Sequence, residues 1–528
     1  MPDNPHSFVV PDDQSIPALI SLLQDSFTVH VLPETIDERV FYDTFDWRLY
    51  KKGSAFEVHD DGRSRKIYWR KDKDGELKIQ LGLKRVPHLA ADLPACELRQ
   101  QLQSVISVRE LLPRIKVRIK RQSLNVLDKN KKVVVRLNFD VYWHSASRLR
   151  AARVLTKRLT IKPVKGYAKD YRRLEAFFLA MQLQPAQNNI MKLALIVSGV
   201  CTGEYTTQLK LLLDPEMSTE QALKKILLRL LEIMQQNTSG SMHARDTEFI
   251  HDYLVSIRKT RAALKHINDV LPQAVNANYE KFFSTLDELT EPIRNLDVFL
   301  QQLENYQADF ETSEWQQLQA LPEYLLRSRA EMQTKFNESV KSSRYRENIK
   351  QWRDYLENSG TESFPPDKAS QSVYKLADEL LLDFYQQTLQ QGNVIASSNK
   401  AGGGGLDKLR DTLQKMLYLM GFFHSLYPVG KMRALVQVLT DLQDKLEESS
   451  ALSININMVK AFIKQGKDEG AVKASMQMIN ILQQQQQETV KVFKSCYAAY
   501  SSSANQKQFK EMFVDYHSLS NTGGKIKL

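Results

Sequence analysis

The hydrophobic period changes near the middle of the chain. Up to about residue 180, apolar and polar positions alternate in short runs, the signature of half-buried strands. Ile115–Arg121 (IKVRIKR) opens with strict apolar–basic alternation, Asp128-Lys129-Asn130-Lys131 supplies turn residues, and Val133–Asp140 (VVVRLNFD) returns. Together these predict a β-hairpin. Arg65–Arg70 and Leu77–Leu83, linked through the Asp74-Gly75 turn signal, predict two more strands. Leu159–Lys162 predicts another, ended by Pro163–Tyr167. Arg39–Tyr50 is dense in aromatics, and Leu98–Leu112 and Ala168–Met181 read as helices.

From Ser218 onward the period is 3.6. Ser218 and Gln221 have the spacing of a capping box before the apolar run Leu223–Met234. Helices are expected at about 247–270, 277–308, 313–358, 370–391, 406–426, 430–448 and 452–495. Pro272, Pro365-Pro366 and the loop Ser397–Gly405 punctuate them. Gln483–Gln487 reads as a polar stretch near a helix end, and Asn521–Leu528 as a frayed tail. His251–Ile267 and Asp407–His424 look like related halves, which tandem four-helix bundles would explain.

Composition narrows the class. With 528 residues, 42% apolar and 26% charged, the chain has ordinary globular values, and wholesale disorder is excluded. No apolar run approaches the roughly 18 residues of a membrane span. The opening MPDNPHSFVVPDD lacks a basic-then-apolar pattern, so no secretory signal is expected. Cys96, Cys201 and Cys496 are far apart, against a disulfide framework or a cysteine zinc site, and a reducing cytosol is expected.

Net charge is +11, unevenly placed. Residues 1–215 hold 36 Lys and Arg against 24 Asp and Glu, and the remainder holds 37 against 38. Arg109–Arg173 alone has 20 basic and 4 acidic residues. Such a block is either a solvated surface or faces an anion.

The most informative helix is Asp246–Ile267 (DTEFIHDYLVSIRKTRAALKHI). At about 100° per residue, His251, Arg258, Arg261 and Lys265 fall within an arc of roughly 80°. Arg forks match phosphate oxygens, Lys is a mobile point charge, and His adds a donor that charges near neutral pH. A merely solvated face would interleave acids, yet none stands between Tyr253 and Ile267. The ridge is therefore expected to face a polyanion without neutralising partners. In Glu288–Leu303, Arg294 and Asp297 are three apart. They suit either an intrahelical pair or an arrangement in which Asp297 orients Arg294 or a neighbouring Arg.

His251-Asp252 … Arg258-Lys259-Thr260-Arg261, followed by Arg294-Asn295-Leu296-Asp297-Val298, resembles the CHAD family (conserved histidine α-helical domain), whose pattern is H-x6-R-[RK]-x-R and then R-[DN]-L-D-V. Lys341–Tyr355 is similar to the family's later basic helix. The second half departs from the pattern: Asp407 stands where the family has histidine, and Gln414 and Leu417 stand at basic positions, while Lys408, Arg410 and Lys415 remain. The resemblance implies two four-helix bundles with a basic groove or pore for long-chain inorganic polyphosphate. The binding residues it implies are His251, Arg258, Lys259, Arg261, Lys265, Arg294, Lys341, Arg344, Lys408, Arg410 and Lys415.

The N-terminal part resembles a CYTH domain (triphosphate tunnel) in Val40–Leu49 (VFYDTFDWRL) and Lys162–Tyr167 (KPVKGY). In a closed barrel Lys116, Arg118 and Lys120 would point into the tunnel, with Arg136, Asn138 and Asp140 beside them. Lys116, Arg118, Lys120 and Arg136 thus form a candidate second anion site. The alternative is a one-sided sheet with these residues in solvent. A tunnel phosphatase needs acids for Mg²⁺ or Mn²⁺. The family's opening E-x-E-x-K reads Asp3, Pro5 and Ser7 here, and its later Glu-x-Glu strand reads Arg158–Lys162 without an acid.

The expected architecture is multidomain α+β. An antiparallel β-barrel-like CYTH-type domain at 1–205 precedes an all-α CHAD domain of two four-helix bundles at 217–510. The expected function is binding of inorganic polyphosphate at granules in a bacterial or archaeal cytoplasm, with no catalysis, no cofactor, no metal and no membrane. Two alternatives stand beside it. One is a metal-dependent triphosphatase using Glu57, Asp140 and Glu175, and the other is a nucleic-acid binder using Arg109–Arg173.

Overall fold

The computed structural model describes residues 6–60, 62, 64–71, 76–82, 85–144, 153–186, 189–199, 202, 209, 211–243, 245–267, 269–358, 368–397, 403–466 and 468–515. Asp3, Pro5, Leu83, the Asp74-Gly75 turn, Cys201, Pro365-Pro366, residues 398–402 and the 521–528 tail lie outside the described residues. The chain divides into two compact units, Met1–Thr206 and Thr207–Leu528.

The first unit is built on an antiparallel sheet. Its strands are β1 (His6–Val10), β2 (Val29–Val31), β3 (Thr35–Asp43), β4 (Ser54–Asp60), β5 (Arg65–Lys71), β6 (Glu76–Gly82), β7 (Leu112–Leu127), β8 (Val133–His144), β9 (Arg153–Pro163) and β10 (Gln184–Pro185). Its helices are α1 (Ile16–Ser26), α2 (Arg48–Lys51), α3 (Glu97–Ile106), α4 (Ala168–Ala180) and α5 (Ile190–Ser198). Strand order is β10-β1-β9-β8-β7-β3-β4-β5-β6, with β2 on β7. The expected hairpin is β7–β8. Its turn is held by Asp128, whose Oδ1 accepts from the amides of Asn130 and Lys132 at 2.8 Å each.

Side chains alternate between the two faces of a strand. On one face Leu124, Leu137, Phe139 and Leu159 pack under α1 and α4, and Phe56, Ile67 and Trp69 under α3. On the other, Ile115, Val117 and Ile119 join Phe41 and Tyr142 against Ile190, Met191, Ala194 and Leu195 of α5. This corrects the expected placement of Lys116, Arg118 and Lys120. Their alternation holds, but the apolar set is the one turned toward α5, because that helix offers only apolar surface there. Lys116 and Arg118 are exposed and Lys120 is half-buried. Lys116 pairs with Glu38 at 2.6 Å and Lys120 with Glu34 at 2.9 Å. Arg136 is exposed too, whereas Asn138 and Asp140 are buried.

The second unit is helical: α6 (Thr219–His243), α7 (Thr247–His266), α8 (Gln273–Leu303), α9 (Thr312–Leu318), α10 (Ala320–Lys341), α11 (Ser343–Glu357), α12 (Val373–Ser397), α13 (Gly403–Phe423), α14 (Val429–Gln465), α15 (Glu469–Tyr500) and α16 (Ser503–Lys510). The capping box starts α6: Ser218 Oγ accepts from the Gln221 amide and Gln221 Oε1 from the Ser218 amide, both at 3.3 Å. The expected helix 313–358 is interrupted at Ser342, whose Oγ caps α11 through the Tyr345 amide at 3.1 Å. The break expected near 449–451 is absent. Ser449 and Ser450 are buried within α14, which runs on to Gln465. Asp468 then caps α15, accepting from the Gly470 amide at 2.8 Å. Gln483–Gln487 lies within α15 rather than at its end.

Helices α6, α7, α8, α10 and α11 pack neighbour on neighbour, as do α12, α13, α14 and α15. A large apolar core that includes Leu230, Ile257, Phe283, Trp352, Leu413 and Leu439 ties both sets together. Among the described residues, no helix is long and apolar enough to cross a membrane.

Candidate functional site

Helix α7 starts at Asp246, whose carboxylate accepts from the Glu248 amide at 3.0 Å. Tyr253, Ile257, Ala263 and Leu264 are buried in the core. That orientation brings His251, Arg258, Arg261 and Lys265 to a cavity of about 560 Å³. Helix α8 adds Glu280, Asp287, Glu291 and Arg294; α13 adds Arg410, Asp411, Lys415 and Tyr418; α14 adds Glu447, Ser450 and Asn455.

Seven of the eleven residues expected to bind the polyanion therefore converge: His251, Arg258, Arg261, Lys265, Arg294, Arg410 and Lys415. The other four are placed elsewhere. Lys259 sits with its Nζ 5.7 Å from the centre of the Tyr418 ring, and burial lowers its pKa against the opposing pull of Asp252. Lys341, Arg344 and Lys408 are exposed and do not line the cavity.

The ridge is not free of acids, which corrects the expectation of unneutralised cations. Arg258 donates from Nε to Asp287 at 3.2 Å and pairs with Glu291 at 2.7 Å. Arg261 pairs with the same Asp287 and lies 3.5 Å from Glu280. Arg410 donates to Ser450 and pairs with Asp411 at 2.7 Å and Asp407 at 3.5 Å. The lining holds six Lys and Arg side chains and five carboxylates, one positive charge in excess with histidines neutral. The α7 stripe lacks acids in sequence because the facing helix supplies them. Glu280, Asp287, Glu291 and Arg294 stand seven, four and three residues apart, on one face of α8. That spacing is the signal a reading of α7 alone misses.

Three of the cavity cations form no ion pair among the described residues: Lys265, Lys415 and Arg294. Arg294 Nη1 is buried without a hydrogen-bond partner, as is Nδ2 of Asn455. Both are donors, so the complement they lack is an acceptor. Burial lowers the Lys415 pKa; Asp411 opposes this, and Lys265 and Arg261 add to it. Burial, with Lys415 and Lys265 adding, pushes His266 down to about 4. His251 is lowered by burial and by Arg294, against Glu248, Asp252 and Glu447. An anion in the cavity would reverse these mutual repulsions.

Asp297 does not orient Arg294 by a direct bond. It accepts from Arg329 Nε at 2.6 Å and Nη2 at 3.3 Å, tying α8 to α10.

In the first unit, the carboxylates proposed for a metal are occupied by cations. Glu57 is buried and faces Arg70 Nε at 3.1 Å, His59 at 2.9 Å and Arg39 at 3.7 Å. Burial alone would raise its pKa, but these partners outweigh it and hold it at about 2. Asp140 accepts from Arg121 Nε at 2.7 Å and Nη2 at 3.0 Å, and from the Tyr142 hydroxyl at 3.2 Å. Glu175, on α4, pairs with His6. Among the described residues, no group of three or more His, Cys, Asp or Glu is placed to hold a metal ion. The basic block 109–173 is likewise divided: Arg109 is buried beside Asp46 and Arg114 lies 4.3 Å from the centre of the Trp47 ring.

Comparison with known proteins places a family match over this helical region: residues 225–457 match the model of the CHAD domain. The crystal structure of the CHAD domain from the plant Ricinus communis is similar at 19% identity, over 55% of this chain and 95% of that one, with a TM-score of 0.46. PptA from Streptomyces chartreusis is similar at 13% identity, over 56% of this chain and 100% of that one, with a TM-score of 0.42. A Hippeastrum protein described as having a dominant triphosphatase activity is similar at 12% identity, over 38% of this chain and 99% of that one, with a TM-score of 0.27. No curated protein matches the sequence.

Proposed function

We propose that this chain, whose residues 225–457 form a CHAD domain, binds inorganic polyphosphate in the cavity between α7, α8, α13 and α14. One observation carries the reading. Eight basic or histidine side chains from three helices meet in one cavity, and among the described residues three of the cations there have no carboxylate paired to them. A polymer of phosphates offers acceptors at every unit and no bases to read, so a row of Lys, Arg and amide donors is a sufficient site. The unpartnered Arg294 and Asn455 donors fit the same ligand.

The same reading makes the protein a binder rather than a hydrolase. Glu57 and Asp140 are each engaged by guanidinium groups, which a divalent metal would have to displace. Residence at polyphosphate granules in the cytoplasm would follow from binding a polymer that accumulates there.

The test is an equilibrium titration of the full chain with polyphosphate at fixed salt. Replacing Lys265, Arg294 and Lys415 together by Ala is expected to lower affinity by roughly 100-fold, with the helical circular dichroism retained. Affinity equal to the parent's would refute this site. Release of phosphate from tripolyphosphate, dependent on added Mg²⁺ or Mn²⁺, would instead favour the hydrolase.

A further inference from the structure

The unpaired cations are not spread evenly along the cavity. Lys265 and Lys415 line one end, where Lys265 adds to the lowering of the Lys415 pKa, together with His266, whose Nε2 is buried without a hydrogen-bond partner. Arg261 pairs with Glu280 and Asp287 and Arg258 with Glu291, so α8 runs toward His251 and brings Arg294, three residues past Glu291, to the other end of the cavity. On α7, His251 and Lys265 are fourteen residues apart, about 21 Å along the helix axis. Between them stand Arg258 and Arg261, both already engaged by carboxylates of α8.

From this placement we infer that the cavity is bipartite: it grips one polyphosphate chain at two separated cationic subsites, Lys265–Lys415 and Arg294, across a middle that α8 neutralises. The inference rests on the polyphosphate reading above and adds a property to it, a chain-length threshold. A chain too short to reach both subsites gains from only one. A chain that spans them makes its second contact within the complex, at a high effective concentration. Affinity then rises by a step rather than in proportion to length.

The experiment is a binding series on the full chain at fixed salt, from tripolyphosphate to chains of about fifteen phosphates, long enough to bridge roughly 21 Å of helix. The expected result is a step of at least about 100-fold once the chain spans both ends. In the Lys265→Ala/Lys415→Ala variant the step disappears and long chains bind like short ones. Lys265 is exposed and Lys415 half-buried, and an unchanged helical circular dichroism spectrum checks that the fold is retained. Arg294→Ala removes the step from the other end. A smooth rise with length in the parent, or an equal loss for short and long chains in either variant, overturns the bipartite site while leaving polyphosphate binding intact. Failure of every chain length to bind the parent overturns the polyphosphate reading itself.

Discussion

Arg258 of α7 donates its Nε proton to Asp287 of α8 across 3.2 Å. That bond, with the Asp287–Arg261 pair beside it, gives the cavity an internal anion that competes with any ligand for the two arginines. Asp287→Asn would keep the shape and remove the competing charge. Polyphosphate affinity should rise by roughly tenfold, because the one carboxylate shared by both guanidinium groups no longer competes with phosphate, while Glu291 and Glu280 remain beside them. Stability should fall by about 1–3 kcal/mol, because a buried carboxylate partner is lost. Titration calorimetry and urea denaturation on one preparation read the two effects. Affinity lower than the parent's would mean that Asp287 holds the arginines in position rather than withholding them.

Binding should strengthen as the solution is acidified. His266 is held down to about 4, first by burial and then by Lys415 and Lys265. Free histidine titrates near 6.5, so between those values the unfolded chain carries a proton that the folded one lacks. The contribution of His266 to stability is full above pH 6.5 and is lost as pH falls toward 4. A bound polyanion offsets the two lysines and raises the His266 pKa, so binding takes up protons. Affinity at pH 5.5 should exceed that at pH 7.5 by several-fold, and calorimetry in buffers of different ionisation enthalpy should register the uptake. His266→Gln should reduce the pH dependence to the part that His251 contributes.

Asp297 and Arg329 form a structural pair rather than a ligand contact. Asp297 is buried and receives two guanidinium protons from α10. Asp297→Ala leaves the Arg329 charge without this partner and should cost about 3 kcal/mol. Polyphosphate affinity, measured well below the melting temperature, should be unchanged. A variant that keeps its stability and loses binding would return Asp297 to the site.

The contact between α12 and α15 depends on a missing side chain. A Cβ at Gly392 would overlap the ring of Tyr497, whose hydroxyl donates to the Leu389 carbonyl at 2.9 Å. Gly392→Ala should therefore destabilise the helical unit by about 1–3 kcal/mol despite its better helix propensity. Thermal denaturation checks the sign.

Much of this was legible in the sequence, and the limits have physical causes. The period of α7 placed His251, Arg258, Arg261 and Lys265 on one stripe, and all four line the cavity. The Ser218–Gln221 cap and the turn at Asp128 were readable because a local hydrogen bond fixes each. The face of β7 was not readable. Alternation tells which residues share a side but not which side α5 covers, so it leaves Lys116, Arg118 and Lys120 open to either an inward or a solvent-facing placement, and the structure turns them outward. The acids of the cavity come from α8, and pairing between helices is a tertiary fact that a single helix's pattern does not hold. Lys259 shows the same limit: it adjoins the ridge in sequence yet is drawn to the Tyr418 ring.

The number of cations a polyphosphate chain meets unpaired is read most directly from the salt dependence of its affinity. Three free side chains, Lys265, Arg294 and Lys415, predict that log K falls against log salt with a slope of about −2 at pH 7.5, by the relation for single-stranded polyanions. A slope of about −4 would mean that all six cavity cations face the ligand and that the carboxylates of α8 and α13 do not hold Arg258, Arg261 and Arg410. An affinity that does not change with salt would remove the polyanion from the account altogether.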